Sequence, residues 1–309
     1  MGQSRYNRGQ LPVLCVRAET LPEAWEKAVL AVWEHGIEVP TEYDRTDRSG
    51  KPIDPPSLDA TVIVEVADPF AEPRIHKNFP GGPEELEVYR QEVVLGIHDH
   101  WVDLADPIKW TYTYHERLFA YRATEDLSDP AAARLSPVDQ IEYVIQKAAA
   151  APFSRRIQAT TWIPHADPKT DDAPCLQRLW FRILDDENGR PALNLNSHWR
   201  SRDGYKAWFM NVYALTDLQR HVAEQVSQRS GKPVRVGRYV DISDSFHIYG
   251  ADRKALEPEI RKMKSQPDYH QRAWPSDHPA FQMMVEEARR KLAADPDFMK
   301  HSASRQHTQ

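Results

Sequence analysis

Apolar residues recur along this chain at two periods, and the switches between them outline a mixed helix and strand architecture. Thr20-Leu21-Pro22-Glu23 is a capping box with proline early in the first turn, and Trp25, Ala28, Val29, Val32 and Trp33 follow at helical spacing until Gly36. Residues 1–19 ahead of it read as a lead-in with no element assigned. Residues 41–59 are polar and rich in Asp, Pro and Ser, which predicts a long surface loop, and Ala60–Val66 is a β-branched run that predicts a buried strand. Gly82-Pro83 opens a helix through about Ile97. Trp110–Tyr121 is an aromatic stretch expected to be strand and core. Ser136-Pro137-Val138-Asp139 caps a helix with Ile141, Val144, Ile145 and Ala148 on one face. Ile157–Ile163 and Leu176–Leu184 read as strands, 185–189 as a turn, and Ala192–Trp199 as the antiparallel return. A long helix from Asp203 carries Leu215, Leu218, Val222 and Val226 to Gly231; Val234–Tyr249 alternates as a strand pair, and a last helix carries Met283, Met284 and Val285. The pattern predicts an α+β fold in which a large mixed or antiparallel sheet packs on a long core helix.

Composition narrows the function classes. A chain of 309 residues buries a substantial core, and 1–309 reads as a single catalytic domain, with 1–19 and 293–309 at its margins. Forty basic against 46 acidic residues give a formal charge of −6, which argues against general nucleic-acid binding but leaves local arginine clusters free to take a small anion. Two cysteines, Cys15 and Cys175, provide no disulfide framework and fit a reducing cytoplasm. No apolar run reaches membrane-spanning length, and residues 1–12 have no signal-peptide core.

The chemistry concentrates between Ser154 and Ser201. Arg155 and Arg156 stand ahead of Ala173-Pro174-Cys175-Leu176-Gln177, and Arg200-Ser201-Arg202-Asp203 follows it. A thiolate is the reactive form of cysteine, and guanidinium groups nearby are expected to lower the thiol pKa. The same groups suit bidentate capture of a phosphate. Hairpin pairing of the two strands brings Cys175 at the start of one to Arg200 at the end of the other. Glu92, placed with Val88 and Leu95 on its helix, leans towards an apolar face and is expected to carry a raised pKa suited to proton exchange. His247 and Tyr249, two apart, share a strand face. His98 and His100 without further ligands at recognisable spacing assign no metal.

Asp139-Gln-Ile, Ser154-Arg155-Arg156-Ile157, Thr161-Trp162, Ala173-Pro174-Cys175, Arg200-Ser201-x-Asp203, Tyr213-Ala214-Leu215 and His247-Ile248-Tyr249 together, in this order, resemble the thymidylate synthase superfamily over residues 82–250. With Cys175-Leu176-Gln177 and Thr41-Glu42-Tyr43-Asp44, the chain is most similar within it to the CMP 5-hydroxymethylases of nucleoside-antibiotic pathways, the mildiomycin type above all. The resemblance implies a thymidylate synthase-like fold and a homodimer in which Arg155 and Arg156 cross into the partner's site. It implies Cys175 as nucleophile, with Glu92 and Tyr114 in proton transfer and water positioning. Arg200, Arg155, Arg156 and, on the early loop, Arg45 (or Arg48) would grip the phosphate; Ser201, Asp203 and Asn211 would contact substrate, and His247 and Tyr249 the sugar hydroxyls. The substrate implied is CMP and the cofactor 5,10-methylenetetrahydrofolate. Two departures, Lys206-Ala207-Trp208-Phe209-Met210 in place of the family's Gly-x-Pro and the polar end after Met299, favour capture of water over hydride. Asn211 leaves cytosine and uracil both open. The rivals are thymidylate synthase or deoxycytidylate hydroxymethylase, a Cys175/His247 thiol hydrolase, and a non-catalytic nucleotide-binding protein.

Overall fold

The computed structural model describes residues 9–103, 106, 109–123 and 136–295. In chain order the elements are β1 (Val13–Ala18), α1 (Leu21–His35), β2 (Ile37–Val39), β3 (Ser57–Val66), β4 (Ile75–His76), α2 (Gly82–Leu95), α3 (Tyr114–Phe119), α4 (Gln140–Ala150), β5 (Gln158–Thr160), β6 (Leu176–Asp185), β7 (Pro191–Trp199), β8 (Arg202–Asp203), α5 (Trp208–Ser230), β9 (Arg235–Ile248), α6 (Gly250–Ser265), β10 (Ala273–Trp274) and α7 (Pro279–Ala294). The main sheet runs β1-β3-β9-β7-β6-β5, with β2 beside β3 and β8 beside β9. It is mixed: β1–β3, β7–β9 and β8–β9 are parallel, whereas β3–β9, β6–β7 and β5–β6 are antiparallel.

Alternation decides which face is covered. Val62, Val64, Leu179, Phe181, Leu193, Leu195 and Tyr239 point to the side where α1, α4 and α5 pack, and all are buried. Positions between them, among them Ile63, Trp180, Val240 and Ile242, are only half-buried on the other side. Gln219 of α5 reaches the sheet where the β7–β9 register shifts, its amide donating to the carbonyls of Leu193 (2.7 Å), Gly237 (3.2 Å) and Arg238 (3.2 Å). Carbonyls released from the ladder thus keep a donor, as buried backbone requires. Helix α1 begins as its sequence predicts, with Thr20 Oγ1 accepting from Glu23 N at 3.4 Å, but Glu23 returns to Glu19 N (2.7 Å) rather than to the cap residue.

Several boundaries differ from the sequence expectations. The lead-in contains β1, an edge strand parallel to β3 that alternates weakly because only Val16 and Ala18 are buried. The aromatic stretch forms the helix α3, which Thr113 caps by accepting from Glu116 N at 3.0 Å, so local capping overrides its strand-like composition. Residues 235–248 make one long strand rather than a pair. The core helix starts at Trp208, because Asp203 accepts from Tyr205 N (3.1 Å) and Lys206 N (2.9 Å) in a turn that holds the chain out of helix. Gly204 sits in that turn under Phe246, where a Cβ would come within 1.9 Å of the ring. The strand expected over 157–163 is limited to β5, and α6 had no counterpart in the sequence reading. Of the margins 1–19 and 293–309, residues 1–8 and 296–309 lie outside the described residues.

Candidate active site

The starts of β3 and β6 and the ends of β7 and β9 meet at one edge of the sheet, with β8 beside them, so five strands deliver their termini to one place. Cys175 immediately precedes β6 and Arg200 follows β7, and Arg200 N donates to Cys175 O at 2.9 Å. The Arg200 side chain then closes the turn, its Nε donating to Pro174 O at 3.0 Å and its Nη2 to Ala173 O. Among the described residues no carboxylate pairs with this guanidinium, so its positive charge stands uncompensated beside the thiol.

Burial pushes the Cys175 thiol up; Arg200 and Arg202 pull it back and Asp172 opposes them, leaving it above its ordinary value. This reverses the expectation that the arginines lower it: they act, but desolvation of the thiolate is the larger effect. Tyr114 lies beside it, with its hydroxyl accepting from Leu176 N (3.3 Å) and its ring edge-on to Trp199 at 5.7 Å. Burial raises Tyr114 to about 12, with Cys175 adding to the shift, and Tyr112, bonded to the Tyr114 hydroxyl, is raised by burial as well. Both phenols therefore stay protonated at neutral pH and are donors, not bases.

The Glu92 side chain is largely buried, but the helical neighbour its spacing pairs it with towards the C-terminus is not. Leu95 is exposed, and the Glu92 carboxylate meets His98 Nδ1 at 3.0 Å while His98 stacks on Trp101 at 3.7 Å. Glu92 and Tyr114 line a cavity of about 490 Å³ with Tyr89, Trp110, Tyr112 and Asp172 on its walls.

Asn211 is buried, and its amide is already engaged: Oδ1 accepts from Arg202 Nη1 at 2.5 Å and Nδ2 donates to Tyr89 OH at 2.5 Å. Arg202, 2% exposed, donates its Nη2 to Asp241 and lies 3.3 Å over the Trp199 ring. Because a guanidinium only donates, Arg202 fixes which end of the Asn211 amide faces it. Arg202, which holds Asn211, and Asp241, which holds Arg202, were not among the site residues expected from sequence; the signal was a second arginine in Arg200-Ser201-Arg202-Asp203 and an aspartate on the buried face of an alternating strand.

Asp203 is raised by burial, and its register partner on β9 is His247. His247 is buried, lies edge-on to Tyr249 at 4.6 Å, and is lowered by burial, while Tyr249 is raised to about 12. Ser201 is half-buried between Arg200 and Arg202. Arg45 is on the wall of a smaller cavity of about 200 Å³ with Tyr249 and Lys206, and its fork is held by Asp54 at 2.6 and 2.7 Å. Arg48 is exposed.

Arg155 and Arg156 are not brought to Cys175. Both are exposed ahead of β5, where Ile157 O accepts from Phe181 N at 2.9 Å. Phe181 is six residues along β6 from Cys175, a separation of roughly 20 Å at ~3.3 Å per residue, well beyond an arginine's reach.

The sequence model of the family described as thymidylate synthase matches residues 83–287. A protein of Methanosarcina mazei named "Putative thymidylate synthase" is 31% identical over 248 residues, covering 80% of this chain and 94% of its own. One of the same name from Methanosarcina barkeri is 30% identical over 259 residues, covering 84% and 98%. Among solved structures, thermostable thymidylate synthase A from Bacillus subtilis matches with a TM-score of 0.52 at 18% identity, over 78% of this chain and 84% of that one. That last likeness is one of fold.

Proposed function

The chain belongs to the thymidylate synthase family, and from that premise we propose that it is a pyrimidine nucleotide C5-hydroxymethyltransferase, converting CMP to 5-hydroxymethyl-CMP with 5,10-methylenetetrahydrofolate and water. Family membership implies one-carbon transfer to a pyrimidine nucleotide; the choice of CMP and of hydroxymethyl is the proposal. The observation that favours water over hydride is the cavity at Glu92. Besides its aromatic residues, its walls carry Lys109, Thr111, Thr113, Asp171 and Asp172, polar groups that would admit water beside a carboxylate able to orient it.

The residues present also fit the folate. Trp110 and Tyr112 would pack on a fused heterocycle, Asp171 and Asp172 would accept from its N–H groups, and Lys109 would meet a tail carboxylate. Bound there, the cofactor supplies a one-carbon unit at the formaldehyde level, which no side chain provides. Cys175 would add through sulfur to C6 of the pyrimidine, making C5 nucleophilic, and later leave again. Arg200 would hold the phosphate while its bonds to the 173 and 174 carbonyls keep the thiol in line with C6. Asn211, set by Arg202, would meet the base edge; Tyr114 would donate near sulfur; His247 and Tyr249 would meet the sugar. Incubation with CMP, dCMP and dUMP plus methylenetetrahydrofolate tests this by product mass and folate state. The expected result is hydroxymethyl-CMP with tetrahydrofolate. A methylated nucleotide appearing in step with dihydrofolate would overturn it in favour of thymidylate synthase activity.

The position of Arg155 and Arg156 supports a homodimer in which they serve the partner's phosphate, since their own Cys175 is out of reach. The half-buried Trp180, Val240 and Ile242 on the uncovered sheet face are suited to such an interface. Mixing an Arg155→Ala chain with a Cys175→Ala chain is therefore expected to restore about a quarter of the activity per dimer on statistical pairing. No recovery after subunit exchange would exclude the shared site.

A further inference from the structure

Asp59, Ser245 and His247 form a chain of hydrogen bonds beside the proposed sugar site. Asp59 and His247 are register partners on β3 and β9, which places their side chains on the same face. Ser245, two residues before His247, spans them: its Oγ donates to Asp59 Oδ2 at 2.8 Å and lies 3.3 Å from His247 Nδ1. Burial raises Asp59 from its ordinary value while Ser245 and His247 pull it back; a serine hydroxyl has one hydrogen and the carboxylate only accepts, so that hydrogen belongs to Asp59. The contact with His247 must then run the other way, with Nδ1–H donating to Ser245 Oγ. Burial lowers the imidazole below its ordinary value and so favours the neutral ring; Asp59 and the Ser245 backbone oppose that effect and Lys206 adds to it. The ring therefore has its single hydrogen on Nδ1 and a lone pair on Nε2. Nε2 is buried and meets no donor among the described residues, and Asp59 Oδ1 is in the same condition on the neighbouring strand. Buried acceptors of this kind are normally satisfied, and the group covering His247 is the ring of Tyr249 at 4.6 Å, itself on the wall of the cavity shared with Lys206.

We propose that Asp59 and Ser245 are positioning residues that hold His247 in the tautomer whose Nε2 accepts a hydrogen bond from a hydroxyl of the nucleotide sugar. This rests on the reading of His247 as a sugar contact and deepens it: the opposite tautomer would present N–H, and a hydroxyl would then have to turn its lone pair inward. The relay also makes the pocket selective for ligands that bring a donor, because a deoxy sugar at that carbon leaves the acceptor unmet.

Two measurements on the full-length protein test it. A nitrogen-15 spectrum of histidine-labelled protein, with His247 assigned by its loss in His247→Gln, is expected to show a protonated Nδ1 and an unprotonated Nε2. In Ser245→Ala and in Asp59→Asn that pattern is expected to shift towards the Nε2–H form, and in Ser245→Thr, which keeps the hydroxyl, to persist. An Nε2–H tautomer in the parent protein, or no change in Ser245→Ala, overturns the relay. Affinities for CMP, 2′-deoxy-CMP and 3′-deoxy-CMP form the second arm. The parent protein is expected to lose about tenfold for whichever analogue lacks the hydroxyl facing Nε2, and Ser245→Ala to lose that discrimination. Equal binding of all three by the parent overturns the sugar assignment even if the tautomer is as expected. Failure of all three to bind, with C5 hydrogen exchange also absent, overturns the functional reading, and the spectrum then decides the relay independently of it.

Discussion

Replacing Cys175 with alanine is expected to abolish solvent exchange of the C5 hydrogen of CMP together with hydroxymethylation, each by on the order of 10⁴-fold or more. Both reactions need the C5 carbanion equivalent that forms only when sulfur adds to C6, so one residue should control two readouts. The fold is expected to survive, since Cys175 is half-buried and the change removes one atom from a site whose turn is held by Arg200 and the backbone. The raised thiol pKa adds a direction. Below that pKa the thiolate fraction falls about tenfold per pH unit, so exchange in the free enzyme should climb with pH into the alkaline range. A bound nucleotide phosphate neutralises part of the Arg200 charge that favours the thiolate, so the climb should not move to lower pH when CMP is bound. Exchange that persists in Cys175→Ala would remove Cys175 from the mechanism, and a profile already flat at neutral pH would contradict the buried thiol.

The hairpin and the core helix were legible because they rest on local signals. Alternation of buried positions from Leu179 to Ile183, a turn ending in Gly189 at φ 71°, and a matching return fix the hairpin register. A register shift between Leu176 and Arg178 separates that ladder from the approach of Cys175 to Arg200. The same logic explains α1 and α4, whose caps and apolar faces are written within a dozen residues. What stayed hidden depends on partners far away in sequence. Strand β1 is an edge with two buried residues and acquires its identity only by lying parallel to β3. Glu92 reads as facing an apolar stripe, yet His98, six residues on, turns back to meet it after the chain leaves the helix at Gly96 (φ 63°). Asn211 was readable as a polar residue early in a helix, but not that Arg202 and Tyr89 hold its two ends, since Tyr89 is 122 residues away. Nor could spacing reveal that Arg45 would spend its fork on Asp54.

The buried pair of Arg202 and Asp241 is where stability and selectivity are expected to separate. Changing Arg202 to methionine leaves Asp241 without its cation in a site where both side chains are almost wholly enclosed. Stranding a buried charge typically costs ~3–5 kcal/mol. The lower end is expected here, because Ser243 Oγ still donates to Asp241 Oδ1 at 2.6 Å, with Tyr239 OH near Oδ2 at 3.3 Å. Adding Asp241→Asn removes the orphaned charge, so the double variant should regain most of the loss in chemical denaturation. It should not regain base selectivity. With no donor-only group against its Oδ1, the Asn211 amide is free to turn and offer either end, which erases the difference between a cytosine edge and a uracil edge. The ratio of kcat/KM for CMP over UMP is therefore expected to fall by about tenfold or more in the double variant, as one well-placed hydrogen bond implies. A folded double variant that keeps the parental ratio would show that Arg202 serves the core alone and that the base is read by another group.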